Sequence, residues 1–502
     1  MKNILALPLL LLSLLNQAQL KKQFPVKTII VFFDGLRPDY ITPELMPNLA
    51  AFKQQWAYGS KHHSVFPTVT RVNASSYSTG SYPSSHGLMG NTVYFPGVDS
   101  AHGLNTGNAE DMFRIIDWSH GQLLTAVTLG EVLAKNGQQM MVYSSGSTGQ
   151  ALMQNHTLSS GATVNPELIR PLGFKDELIK QVGDIPKKGK PNSLQHAWIT
   201  DAFIHYSVNE EGPLVSAIWY SDPDGAAHSD GIGSPAAVES IKSVDQQFGR
   251  ILKAIHEKGM ENRFNFLIST DHGFSTHTGK EGLTELLIRK GFKKDKESTD
   301  VVVAEGALYV KNHNREKIEK IVQALQLETW VGALFTDASK KDAAKGWVPG
   351  TLAFDMVNWN HPGRKADILV DVNWNNDKNE KGYAGMTQSR GVAGHGSLSP
   401  WDVHIPLIVA GPDFKKMYES GLPSSNIDIV PTILSLYHLP VPSTMQGRPL
   451  TELFRKAKSS GKPVIKTVSS TCTYEGKTYT VTVQHTWLGK YRYVDHAVTE
   501  RR

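Results

Sequence analysis

With 502 residues, 40% hydrophobic and 20% charged, the chain has an ordinary globular composition, which excludes a collagenous, low-complexity or intrinsically disordered protein. A formal net charge of +5 is small for this length and argues against a dedicated nucleic-acid surface. The single cysteine, Cys472, excludes an intramolecular disulfide.

In chain order, Lys2, the apolar run Ile4 to Leu15 and the small-residue end at Ala18 read as a signal peptide over residues 1–18. The run is too short for a comfortable transmembrane helix, and no later stretch reaches that length. An exported protein without an anchor is therefore expected. Scarce cysteine points to a bacterial periplasm or the medium around it. Asn73-Ala74-Ser75, a glycosylation pattern falling inside the candidate site, leans the same way.

Thr28 to Phe33 is a near-continuous apolar run of the kind buried on both faces of a parallel sheet, and Asp34-Gly35 follows it. Asp-Gly is also a common turn pair, so Asp34 alone stays open. The stretch Phe66 to Gly80 runs from an apolar, strand-like lead-in into a short helix that Gly80 and the Tyr82-Pro83 turn close. A hydroxyl at that junction meets free backbone N–H groups and the positive end of a helix dipole, but Ser and Thr are also ordinary caps. Residues 96–120, rich in Gly, Asn and Asp, read as an insertion, and 124–135 as a helix. Leu214 to Tyr220 is a second buried strand, followed by Asp224 and His228. Ser234-Pro235 opens a long helix ending at Gly259. Phe264 to Ser269 runs straight into Asp271-His272-Gly273. Residues 275–390 are less regular and read as a second insertion, before a Gly-rich loop around His395 and a strand at Ile405 to Ala410. These elements define an α/β catalytic domain over 25–455 with a central, mostly parallel sheet flanked by helices. The remainder, 456–502, is basic and alternates around Glu475-Gly476, as a small β appendage would.

Asp34, Asp224, His228, Asp271, His272 and His395 each stand at a strand end or a Gly-rich turn, where open α/β sheets place their ligands. Three carboxylates and three imidazoles suit two divalent cations, zinc above others, with an open position on each. Two such ions clamp the attacking and leaving oxygens of a displacement at phosphorus and lower the pKa of a threonine hydroxyl.

The ordered motifs FFDGLRPDY, Thr70-x-x-Asn73, SHG-x-x-GN, PD-x-x-x-H, DHG and GHG resemble the nucleotide pyrophosphatase/phosphodiesterase family of the alkaline phosphatase superfamily, over roughly residues 27–453. The resemblance implies an alkaline-phosphatase-like fold and two zinc ions. Asp224, His228 and His395 would hold one, and Asp34, Thr70, Asp271 and His272 the other. Thr70 would form a covalent phospho-threonine, and Asn91 would donate to a non-bridging phosphate oxygen. The substrate is then a small phosphate ester, a phosphodiester or a nucleotide pyrophosphate.

Where the family carries an aromatic residue after its threonine, this chain has Arg71, which can stack on a base, pair with a second phosphate or bind a monoester dianion. A phosphomonoesterase or phosphonate hydrolase of the same superfamily is therefore the alternative, and a non-catalytic binding protein on this scaffold a more remote one. Trp219 is either a stacking platform or a buried strand-end side chain. Thr68, two residues before Thr70, is its nearest competitor as nucleophile.

Overall fold

The computed structural model describes residues 26–158, 160–457 and 461–502. The expected signal peptide lies outside the described residues. Among these, no helix is long and apolar enough to cross a membrane.

A ten-stranded sheet forms the middle of the catalytic unit. Its order is Tyr418–Ser420, Ala57–His63, His404–Ala410, Phe264–Ser269, Lys27–Phe33, Val215–Tyr220, Met140–Ser144, Gly161–Asn165, Leu168–Arg170, with Ser424–Ser425 beside Ala57–His63. Lys27–Phe33 and its neighbours on either side are parallel. Every residue of Lys27–Phe33 is buried, and alternation sends its side chains to two separate cores. Ile29, Val31 and Phe33 join Trp198, Phe203 and Phe248 beneath the helices Ser193–Ser207 and Pro235–Glu257. Ile30 and Phe32 join Tyr77, Trp219 and Leu434 beneath Thr70–Thr79 and Ile429–Leu436. Helices on both faces explain why the run is continuously apolar.

The long helix is capped as its sequence requires: Ser234 Oγ accepts the Ala237 N–H at 3.1 Å, and Pro235 takes the first turn. The 124–135 helix starts later, at Leu129, because Thr128 and Glu131 form a capping box. The lead-in to Thr70 is irregular rather than a strand: pairing ends with Ala57–His63, and Pro67 brings no N–H to a ladder. Residues 96–120 contain a capped helix, Ala109–Trp118.

Residues 275–390 fold into two further sheets. Five strands with the helix Arg315–Gln326 form a cap (Val301–Ala304, Ala307–Val310, Ile368–Val372, Val331–Thr336, Leu352–Ala353). Four short strands include Ser275–His277 and Ala393–Gly394, which pair antiparallel. The C-terminal residues form three long antiparallel strands, Val464–Tyr474, Lys477–Leu488 and Tyr491–Arg501, the first two joined at Glu475-Gly476.

Candidate active site

Three adjacent parallel strands end together, and each delivers a carboxylate: Asp34 after Lys27–Phe33, Asp224 after Val215–Tyr220, and Asp271 after Phe264–Ser269. Backbone ties fix their spacing. Asp224 N–H donates to Asp34 O at 3.0 Å, and Gly35 N–H donates to Asp271 Oδ1 at 3.1 Å. Gly35 takes a left-handed φ of +72°, and a Cβ there would stand 3.1 Å from that of Asp224.

The histidines arrive by different routes. Asp224 opens the helix Asp224–Asp230, so His228 stands one turn on, on the same face. His272 follows Asp271 directly. His395 is brought in by the pairing of Ser275 with Gly394 and Thr276 with Ala393, which lays the two loops side by side. The His272 and His395 rings stack with centroids 3.3 Å apart. Gly394 is required for this approach, since a Cβ there would fall 2.6 Å from His277 and 3.0 Å from His228.

Each histidine is oriented the same way. Nδ1 lies 2.9 Å from Ala393 O in His228, 2.9 Å from Gly273 O in His272 and 2.8 Å from Thr68 O in His395. A carbonyl only accepts, so Nδ1 carries the proton and Nε2 turns toward the carboxylates. His228 Nε2 and His395 Nε2 lie 3.2 and 3.3 Å from Asp224 Oδ1, and His272 Nε2 lies 3.0 Å from Asp271 Oδ2 and 3.5 Å from Asp34 Oδ1.

Among the described residues, two sets of candidate ligand atoms each lie within 4.8 Å of one another: Asp224, His228 and His395, and Asp34, Asp224 and His272. The first is the trio expected from the motifs. In the second Asp224 takes part, while Asp271 borders it through His272. Asp34 Oδ1, Asp224 Oδ1 and Asp271 Oδ2 are buried without a hydrogen-bond donor. Buried carboxylate oxygens without donors, facing imidazole nitrogens that main-chain carbonyls hold in orientation, fit divalent cations. The electrostatics agree. Burial, then Asp271 and Asp224, push the Asp34 carboxyl well above the usual range, so this group of charges calls for a counter-cation. Burial also opposes the Asp224 charge, but His228 and His395 outweigh it and hold that carboxyl well below the usual range. Burial and the stacked His272 lower His395 to about 4.

Thr70 occupies the first position of the helix Thr70–Thr79, and its hydroxyl lies 3.3 Å from His272 Nε2. Thr68 is turned elsewhere: its hydroxyl donates to Ser397 O at 2.8 Å. Asn91 Oδ1 accepts the Arg71 N–H at 3.1 Å, which sets Asn91 against the same helix start. The Arg71 guanidinium is drawn down by burial and held up by Glu305 and the three carboxylates, so it faces the cluster's field. Trp219 is fully buried, stacks on Phe32 and donates from Nε1 to Asp34 Oδ2 at 3.0 Å. It orients a carboxylate and is no stacking platform.

Two supporting residues carry roles that the sequence did not assign. Asn73 joins both backbone groups of Val65, at 2.8 and 2.9 Å, fastening the lead-in to the helix. Asn426 donates to Asn73 Oδ1 at 3.1 Å and to Thr270 O at 3.0 Å, and its own Oδ1 lies 3.1 Å from His62 Nε2. Asn73 was visible in the Thr-x-x-Asn spacing; nothing around Asn426 marked it.

The fold is alkaline-phosphatase-like. The wild-type alkaline phosphatase PafA structure superposes with a TM-score of 0.64 at 15% identity, covering 86% of this chain and 100% of that one. Murine ectonucleotide pyrophosphatase/phosphodiesterase 5, as an inactive variant in complex with AMP, gives a TM-score of 0.60 at 16% identity with the same coverages. Within that class, the type I phosphodiesterase/nucleotide pyrophosphatase profile matches residues 28–397, and the chain belongs to this family. Among curated relatives, family member 3 of Mus musculus is 24% identical over 273 residues, 51% of this chain and 26% of the relative. Venom phosphodiesterase 2 of Crotalus adamanteus is 23% identical over 258 residues, 50% of this chain and 27% of the relative. The chain thus spans about a quarter of the length of the curated relatives it matches.

Proposed function

We propose that the protein is an exported two-metal hydrolase that cleaves phosphodiester or nucleotide pyrophosphate bonds through a covalent phospho-threonine on Thr70. The observation that carries this reading is the Thr70 hydroxyl at a helix start, 3.3 Å from His272 Nε2 and facing the carboxylate–imidazole cluster. Asp224, His228 and His395 are assigned to one cation, and Asp34, Asp271, His272 and Thr70 to the other, zinc being the ion such N/O donor sets favour. Bound there, the cations supply positive charge for the phosphoryl oxygens and ease loss of the Thr70 proton.

The chain's own groups do the rest. Helix Thr70–Thr79 directs backbone N–H groups at the anionic phosphoryl group. Thr70 loses its proton, its Oγ bonds to phosphorus, and the ester P–O bond breaks to release an alcohol, which takes up a proton. Water then attacks phosphorus, releasing phosphate or its monoester and restoring the hydroxyl. Asn91 Oδ1 is committed to Arg71 N, which leaves its amide N–H groups for a non-bridging oxygen. Arg71, beside the nucleophile, is assigned to the non-reacting part of the substrate.

The test is a panel of bis(4-nitrophenyl) phosphate, 4-nitrophenyl phosphate, dinucleotides, glycerophosphodiesters and an aryl phosphonate, with metal content measured on the same preparation. Diesters are expected to be preferred, with about two equivalents of metal bound per chain. A strong monoester preference would transfer the assignment to the phosphomonoesterase alternative, with Arg71 holding the dianion.

A further inference from the structure

Beside the metal-ligand cluster, between the catalytic unit and the cap, lies a cavity of about 280 Å³. Its inner wall is built from neighbours of the reacting groups: Val69 precedes Thr70, Met89 stands two residues before Asn91, and His395 lines the cavity directly. Its outer wall is apolar surface of the cap, including Leu283, Trp330 and Val372. Charged groups also border it, but each is already engaged. Glu281 holds Arg289 through two 2.8 Å bonds, and Arg390 pairs with Glu285 at 2.8 Å. Glu305 accepts the Asn91 N–H at 2.8 Å, and Asp371 accepts the Leu398 N–H at 3.3 Å. Arg390, the arginine that borders the cavity, is therefore spent on a neighbouring acid, and Glu281 and Glu305 disfavour a second anionic group. Apolar surface is what remains for a ligand.

We propose that this cavity binds an uncharged apolar group, an alkyl chain or an aromatic ring; on the phosphodiesterase reading above, that group is one ester substituent of the substrate. Selectivity would then follow the apolar area buried, about 0.8 kcal/mol or roughly fourfold in affinity for each methylene that enters. A nucleoside triphosphate or dinucleotide tail, with further phosphates, would be refused at this wall.

The neutral fluorophore N-phenyl-1-naphthylamine, added to the full-length, metal-replete protein, reads the cavity without turnover. Its emission is expected to rise on binding. The n-alkyl phosphates from methyl to octyl should displace it, tightening by up to about fourfold per methylene. Leu283→Trp, which fills the rim, and Val372→Glu, which charges the wall, should each weaken the probe at least tenfold, whereas Thr70→Ala should leave it bound. Matching melting temperatures certify the variants, and either one that folds suffices. Probe binding unaffected by a folded variant, or displacement indifferent to chain length, would overturn the proposal. If the probe and the alkyl series behave as expected while no diester is hydrolysed, the phosphodiesterase reading fails and the apolar site stands.

Discussion

Thr68 and Thr70 stand two residues apart and meet opposite fates. The Thr68 hydroxyl is spent on Ser397 O, and it accepts the Gly396 N–H at 3.1 Å. It therefore clamps the His395 loop, while Thr70 alone faces the cluster. Thr70→Ala should lower kcat by a factor on the order of 10⁴ or more while metal content stays at the wild-type value, read by steady-state kinetics and metal analysis. Thr70→Ala with full activity would refute the assigned nucleophile. Trp219→Phe keeps the stacking on Phe32 and removes the donor to Asp34 Oδ2. Metal affinity is expected to fall roughly 10- to 100-fold, measured by chelator competition, together with a loss of about 1–3 kcal/mol of stability for the buried acceptor left without its donor. Asp34, Asp224 and Asp271 stand out in the sequence because buried parallel strands read as continuous apolar runs, and an acid just past such a run is conspicuous. What Trp219 does was not legible: a strand-end tryptophan looks the same whether its N–H meets water or a carboxylate.

Between elements, Asn426 is the join. It bridges the helix Thr70–Thr79, through Asn73, to the turn that carries Asp271 and His272, at 3.1 and 3.0 Å. Removing its side chain takes one donor from Asn73 Oδ1 and from Thr270 O and a partner from His62 Nε2, a cost of about 1–3 kcal/mol. Asn426→Ala is expected to lower the melting temperature and to reduce kcat more than it changes KM, because the relative placement of Thr70 and His272 loosens. Loss of stability with kinetics unchanged would show that the bridge holds the fold and not the reacting geometry. The join was hidden in the sequence, since Asn426 lies more than 350 residues from Asn73 and makes no pattern of its own. The same reason concealed the pairing of Ser275–His277 with Ala393–Gly394. Strands of two or three residues are too short to show a period, yet this pair brings His395 to His272. Conversely, the long helix Pro235–Glu257 was plain, because cap, proline and apolar stripe all agreed.

Across the whole molecule, the C-terminal sheet is bonded to catalytic unit and cap alike. Tyr493 Oη donates to Asp428 Oδ2 at 2.9 Å and accepts from Arg448 Nε at 3.0 Å, and Tyr479 Oη donates to Gly332 O at 2.8 Å. His63 Nε2 meets Asp495 Oδ1 at 3.0 Å, on the strand that feeds the nucleophile lead-in. Tyr493→Phe takes a donor from buried Asp428 and an acceptor from Arg448, and should destabilise the protein by about 1–3 kcal/mol, measured by denaturant unfolding. Acid should act through buried histidines outside the candidate metal ligands. Burial lowers His62 and His196 to about 3 and His485 to about 4, against 6.5 for the ordinary side chain. The unfolded chain takes up protons that the native one refuses, so stability present above pH 6.5 is lost as pH falls through that window. Each histidine contributes a slope approaching about 1.4 kcal/mol per pH unit. Melting temperatures between pH 7.5 and 4.5 should fall steadily, in chelated protein as well. His485→Gln, which keeps a donor for Met356 O, should flatten the slope by one proton.

The histidine orientation has a consequence for how such a centre drifts over generations. The three acceptors that fix it, Ala393 O, Gly273 O and Thr68 O, all belong to the main chain. No point substitution deletes a carbonyl, so the aim of each ring is insulated from most single-codon changes around it. Inserting or deleting a residue in any of those three loops is what would swing a ring away. Lineages descended from this sequence should therefore tolerate varied side chains there while keeping loop length fixed.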